Sequence, residues 1–275
     1  MLKRMKLNGL ELIKIPIRSA YRIIRKPVSF FAPKMLEAIT HVETKDPVVA
    51  LTFDGGPDPR WTPRLLDILN RYQARATFFM LGKYAERHPE IVRRAAEAGH
   101  AICNHTWDHP SPVLISMKEF RHQIRSCSRA IFPYESKIYR PPWGHQTFIS
   151  YVTIRLLGYK VVTWNLHALD WLDQDPEWMA KYLETKIKPG SIVLLHDVVC
   201  VRRNMSREST LRAVNLLLER ISDRFSFITV PELFCHGQPQ LTYWNNKPDV
   251  KWWNRNLGVW NRYKEQNKNQ NANIY

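Results

Sequence analysis

The sequence predicts an α/β protein, specifically a closed (β/α) barrel. Three observations carry this. Short apolar runs alternate with amphipathic helical segments through about 190 residues, the pattern of parallel strands joined by right-handed crossovers. The runs are apolar without interruption, as strands covered on both faces are. No Gly-rich phosphate loop follows the first run, so a closed barrel fits better than an open dinucleotide-type sheet. In such barrels the chemistry sits in the loops after the strand C-termini.

Each element has its own signal. Residues 48–53 are apolar and partly β-branched, and they end at Asp54-Gly55-Gly56-Pro57. That reads as a buried strand and a tight loop. Residues 61–72 have helical spacing, with Leu65, Leu66 and Leu69 on one stripe. Residues 76–80 form the second strand, 89–98 a helix stopped by Gly99, and 100–104 the third strand. A helix over 117–130 precedes Ile138-Tyr139-Arg140, which leads into Pro141-Pro142-Trp143-Gly144. Residues 148–157 are helical up to Gly158, 160–165 a strand, and 176–187 a helix closing near Gly190. Residues 192–196 form a strand, 211–221 a helix and 225–230 the final strand.

The two ends have a different texture. The 275 residues carry 41 Lys and Arg against 25 Asp and Glu, a formal charge of +16 with pI near 9.8. Such a surface attracts anions. The basic residues are spread along the chain without an RNP-like signature, a zinc finger or a basic zipper, so no nucleic-acid partner is expected. Residues 1–46 form a basic arm. Within it, 13–24 has the pattern of an amphipathic helix that can lie on an anionic membrane surface. No uninterrupted apolar stretch of signal-peptide or spanning length occurs, so a cytoplasmic or peripheral-membrane location is expected. Residues 47–234 form the barrel domain. Residues 235–275 form an extension with Trp244, Trp252, Trp253 and Trp260 close together, its end expected to be disordered. Those rings suit sugar stacking or a membrane interface, or simply wrap the barrel. The four cysteines are too few and too scattered for a disulfide framework.

Five polar or aromatic clusters follow predicted strands. They are Asp54, then His105-Thr106-Trp107-Asp108-His109, then Arg140-Pro141-Pro142-Trp143-Gly144, then Asp170-Trp171, and finally His196-Asp197 after Leu194-Leu195. His105 and His109 are four apart, so on one helical turn they would share a face and reach one metal.

These five clusters, in this order, resemble the five motifs of the NodB-type polysaccharide deacetylases, carbohydrate esterase family 4. The resemblance runs from about Pro47 to Leu233. It implies a distorted (β/α) barrel and metal-assisted hydrolysis of N-acetyl groups on an N-acetylated carbohydrate. By the same resemblance Asp54 is the general base, His105 and His109 bind a divalent metal, and Arg140 orients the base. Zn²⁺ is the expected ion, with Co²⁺ as an alternative. The backbone N–H at Trp143 helps hold the oxyanion. Trp171 and Leu194 line the acetyl pocket, His196 is the general acid and Asp170 tunes it.

The chemistry is coherent in its own terms. A divalent metal polarises a carbonyl and acidifies water. A carboxylate beside a guanidinium stays ionised and can accept the water's proton. A protonated imidazole beside a carboxylate can deliver one to a leaving amine. One departure matters. The family's first motif usually has a second aspartate, the third protein ligand to the metal, and here Gly55 stands there. Three outcomes are open: water fills the gap, another carboxylate such as Asp58 or Asp108 reaches in, or metal and activity are lost. Trp143 is a milder departure, because tyrosine or phenylalanine is usual there. The competing readings are a glycan-binding or membrane-surface protein without full catalysis, and a hydrolase of another amide or ester.

Overall fold

The computed structural model describes residues 6–7, 10–11, 36–200 and 205–252. The amphipathic segment expected over 13–24, Trp253, Trp260 and the end of the tail lie outside the described residues. Apart from a two-residue-per-strand hairpin (Lys6–Leu7 with Leu10–Glu11), the elements run as follows. Strand β1 is Glu37–Glu43 and β2 is Val48–Asp54. Helix α1 (Thr62–Arg71) leads to β3 (Thr77–Met80), and α2 (Gly82–Ala85) and α3 (Pro89–Glu97) lead to β4 (Ala101–Asn104). Helix α4 (Met117–Ala130), β5 (Glu135–Tyr139), α5 (Phe148–Leu156) and β6 (Lys160–Val161) follow. Then come β7 (Leu166–His167), α6 (Pro176–Lys186), β8 (Ile192–His196) and α7 (Glu208–Ile221). The last elements are β9 (Ser226–Phe227), α8 (Val230–Leu233) and β10 (Gln238–Tyr243).

The main sheet is parallel, in the order β6-β5-β4-β3-β2-β8-β7, with β9 also on β2. It curls into a half-barrel. The segment 160–167 belongs to both edges: its start pairs with β5 and its end with β8. Strand β1 bridges that seam through Thr163 N–H to Ile39 O and Val42 N–H to Gly190 O, at 2.9 and 3.0 Å. Closure therefore rests on a few bonds rather than a continuous ladder, and the barrel is distorted as expected.

Two-residue periodicity sorts the side chains. In β2, Val49, Leu51 and Phe53 point outward into a core shared with α1, α3, α6 and α7. Val48 and Ala50 point inward, with Phe79, Cys103 and Ile192. Thr52 and Asp54 continue the inward row, so the same alternation that fills the barrel delivers a carboxylate at its mouth. Each fully buried ring such as Phe53 or Phe78 stabilises the fold by about 2–3 kcal/mol. The helices also begin as their sequences dictate. Ser116 caps α4, Thr147 forms a capping box on α5, and Asp175 caps α6 with proline following.

Two strands lie where the sequence suggested only an arm and a tail. Strand β1 pairs antiparallel with β10, and Leu36, Ala38, Ile39 and Val42 are buried in the barrel core. The last predicted strand, 225–230, is correspondingly short: it pairs only over Ser226–Phe227, and Thr229 then caps α8. No helix among the described residues is long and apolar enough to cross a membrane.

Candidate active site

The strand ends bring the predicted residues together. Asp54 and His196 are direct register neighbours on the parallel strands β2 and β8. Each is held by a buried charge of its own. The Arg140 guanidinium is 0% exposed and donates from Nη1 to Asp54 Oδ1 and Thr52 Oγ1, both at 2.7 Å. Its Nη2 donates to Thr163 O at 2.6 Å, and its face lies 3.9 Å from the Phe79 ring centre. Burial lowers the Arg140 pKa, and the Asp54 charge works against that. On the other side, Asp170 Oδ1 is 3.0 Å from His196 Nδ1, and Asp170 Oδ2 accepts the His196 backbone N–H at 2.8 Å. This leaves His196 Nε2 toward the cleft. Burial works against the Asp170 charge, but His196 and Arg207 outweigh it and hold its pKa below the ordinary value.

His105 follows β4. Its Nδ1 donates to Arg140 O at 2.9 Å, which fixes the tautomer and leaves a lone pair on Nε2, 3.8 Å from Asp54 Oδ2. The His105 and His109 ring centres are 4.9 Å apart. They do not share a helix, contrary to the expectation from their spacing. They lie on a loop in which Thr106 and His109 both take left-handed backbone angles, φ 73 and 71°. Asn104 Oδ1 accepts Thr106 N–H, and Thr106 Oγ1 accepts His109 N–H, so hydrogen bonds to side chains make the turn that a helix would have made.

Trp143 lies in the 3₁₀ turn Pro142–Gly144 with φ 62° and packs 5.1 Å from the His109 ring. Trp171 is the middle residue of a second 3₁₀ turn, Asp170–Leu172, and stands 5.5 Å from the His196 ring, while Leu194 is buried one inward position before His196.

The imidazole pair suits a divalent cation in kind. Burial pushes both histidines down in pKa, His109 furthest, so both are neutral donors near pH 7. His109 Nδ1 is buried with no hydrogen-bond partner among the described residues. In number the site is sparse. No cluster of three His, Cys, Asp or Glu side chains forms among the described residues, one short of the usual catalytic zinc set. Neither carboxylate weighed as a replacement joins it. Asp58 is engaged by Arg60 at 3.0 Å, and Asp108 is half-buried, its N–H and that of Trp107 bound to Gln123.

Comparison with known proteins now decides the family. The family model described as polysaccharide deacetylase matches residues 41–162. A peptidoglycan-N-acetylglucosamine deacetylase of Bacillus cereus is 33% identical over 197 residues, covering 70% of this chain and 90% of that protein. The chain belongs to the polysaccharide deacetylase family. A chitooligosaccharide deacetylase of Sinorhizobium fredii is 32% identical over 199 residues, covering 69% of this chain and 92% of that one. The crystal structure of the Bc1960 peptidoglycan N-acetylglucosamine deacetylase superposes with a TM-score of 0.68 at 26% identity, covering 78% of this chain and 98% of that one. The relatives are thus named carbohydrate N-deacetylases, and the curled parallel sheet is the fold they share.

In this deacetylase-family chain Arg207 escaped the sequence reading, and Asp197 was named only as part of the last cluster, with no role of its own. Arg207, 1% exposed, donates from Nη2 to Asp170 Oδ2 and to Asp170 O, both at 2.9 Å. Asp197 is buried beside the first-motif turn. It accepts Gly56 N–H at 3.0 Å and the Thr62 hydroxyl at 2.6 Å, and burial raises its pKa to about 6. Nothing local in sequence marks Arg207, because its partner is 37 residues away. Removing one member of a buried ion pair costs about 3–5 kcal/mol. Arg207→Met is therefore expected to lower unfolding stability in urea by that order, whereas a loss below about 1 kcal/mol would mark the pair as surface-like.

Proposed function

We propose that the chain is a metal-dependent hydrolase that removes N-acetyl groups from an N-acetylated glycan, with Asp54 as general base and His196 as general acid. The observation that carries this is the Asp54–His196 register pair, each member oriented by a buried charged partner and flanked by two neutral imidazoles. His105 and His109 would hold the ion. When bound, it supplies Lewis acidity at the acetyl carbonyl and a more acidic water.

The residues of the chain account for the remaining steps. Asp54, aligned by Arg140, takes the proton of the attacking water. The backbone N–H of Trp143 faces the developing oxyanion, a role worth several kcal/mol where donors are preorganised. Trp171 and Leu194 enclose the acetyl methyl. The C–N bond then breaks, and His196 delivers a proton from Nε2 to the departing amine while Asp170 keeps its ring in place. The products are acetate and a free amino sugar. The peptidoglycan and chitooligosaccharide specificities in the relatives' names support a β-linked N-acetylglucosamine chain as the substrate class.

The test is acetate release from N-acetylglucosamine oligomers by dialysed protein with added Zn²⁺ or Co²⁺. His105→Ala is expected to abolish the metal-dependent part. Unchanged release in that variant would refute the metal assignment. Gly55 favours a second reading, a glycan-binding protein with impaired catalysis. It predicts oligomer binding without acetate release at any metal concentration.

A further inference from the structure

The tail does more than follow the barrel. Strand β10 runs antiparallel along β1 and carries the chain back toward the mouth of the barrel, where Trp244 N–H bonds to Leu36 O at 2.6 Å. From there residues 244–252 lie against the 141–146 loop. Trp244 Nε1 donates to Gly144 O at 2.7 Å, and Asn246 Nδ2 donates to Trp143 O at 3.4 Å. In the other direction, the buried Gln146 donates its backbone N–H to Asn246 O at 2.8 Å and its Nε2–H to Trp244 O at 2.9 Å. The Trp252 ring stands edge-on to both Trp143 and His145, with centres 5.2 Å apart in each case.

The loop needs such support. Trp143 and Gly144 take successive left-handed angles, φ 62 and 64°. For a tryptophan that backbone costs about 1–3 kcal/mol and persists only where its surroundings hold it. The loop's own bonds are two, Gly144 N–H to Pro141 O and His145 N–H to Pro142 O. The fit from outside is close: a Cβ on Gly144 would lie 3.4 Å from both Trp244 and Asn246. On its inner side Trp143 rests on His109.

We propose that the C-terminal segment is part of the working site, with Trp244 and Asn246 acting as positioning residues for the Trp143 peptide. They act through the loop and do not touch the reacting atoms. The catalytic half of this proposal rests on the reading of Trp143 N–H as the oxyanion donor. The segment lies beyond the residues 41–162 matched by the family model.

The test uses Trp244→Phe, which keeps a ring against Trp164 and loses the indole N–H, and the double variant Trp244→Phe/Asn246→Ala. Two readouts are taken on the full chain. Amide hydrogen exchange over 143–146 is expected to speed up about 5-fold in the single variant and more in the double, at about 1 kcal/mol per lost hydrogen bond. Acetate release is expected to fall by a similar factor in kcat with KM little changed, because the loss lies in the transition state. Unchanged exchange would overturn the clamp. Faster exchange with unchanged kcat would overturn the catalytic half. A wild-type chain that releases no acetate would instead sink the deacetylase reading, and exchange alone would then decide the clamp. If Trp244→Phe fails to fold, Asn246→Ala alone carries the same test at smaller amplitude.

Discussion

Replacing Arg140 by methionine is expected to cost about 3–5 kcal/mol of stability and at least about 100-fold in acetate release. The guanidinium sits at a point where four acceptors converge: Asp54 Oδ1, Thr52 Oγ1, Thr163 O and Val162 O. Methionine fills much of the volume but donates to none of them. It leaves a buried carboxylate without its counter-charge and two strand-end carbonyls without a donor, which is the expensive way to break a buried pair. The activity loss has a separate origin, since Asp54 loses the group that aims it. The two effects separate in the double variant Arg140→Met/Asp54→Asn. There the orphaned charge is gone, so part of the stability should return while activity stays absent. Urea unfolding and acetate release measure the two effects. A double variant no more stable than the single would mean that Arg140 acts mainly by packing on Phe79 and not by neutralising Asp54.

Much of this site was legible in the sequence because strand periodicity is strict. Strands 48–54 and 192–196 end in Asp54 and His196, and alternation puts both on the inward face beside Thr52 and Leu194. What was not legible depends on distance or on local exceptions. Strand β1 buries Ala38, Ile39, Thr40 and Val42 but also carries Glu37, His41 and Glu43, and that broken alternation left it reading as part of the N-terminal arm. Its partner β10 is mostly exposed and has little apolar signal of its own. The His105–His109 pair was found from helical spacing, yet the geometry comes from two left-handed loop residues bonded to Asn104 and Thr106. Spacing identified the pair; the turn that joins the rings is tertiary. Arg207 and the tail contacts at Trp244 and Asn246 have partners too remote in sequence for any local pattern to reveal.

Gly55→Asp, the substitution that restores the missing carboxylate of the first motif, is expected to destabilise the chain and to leave its metal content unchanged. Gly55 has φ +101°, a backbone region that costs a side-chain-bearing residue about 1–3 kcal/mol. Space is a second obstacle. A Cβ at this position would lie 2.2 Å from Val198 O, a backbone atom that can retreat only if the segment just after β8 moves. The neighbouring turn is equally committed. Gly55 N–H bonds to Phe79 O, Gly56 N–H to Asp197 Oδ1, and a Cβ on Gly56 would lie 2.0 Å from Asp197 Oδ2. The departure at position 55 is therefore built into the backbone, and the Gly-Gly turn packs on residues 197–198 in a way an aspartate does not permit. Gly55→Ala isolates the strain and should lose nearly as much stability as Gly55→Asp in urea unfolding. Elemental analysis after dialysis should find no more metal in Gly55→Asp than in the unaltered chain, whose two imidazoles fall short of the usual zinc set. A gain toward one ion per chain, with acetate release rising alongside it, would overturn this account. It would mean that the 54–57 turn can re-form around a carboxylate, and that the site lacks only a ligand and not the backbone to hold one.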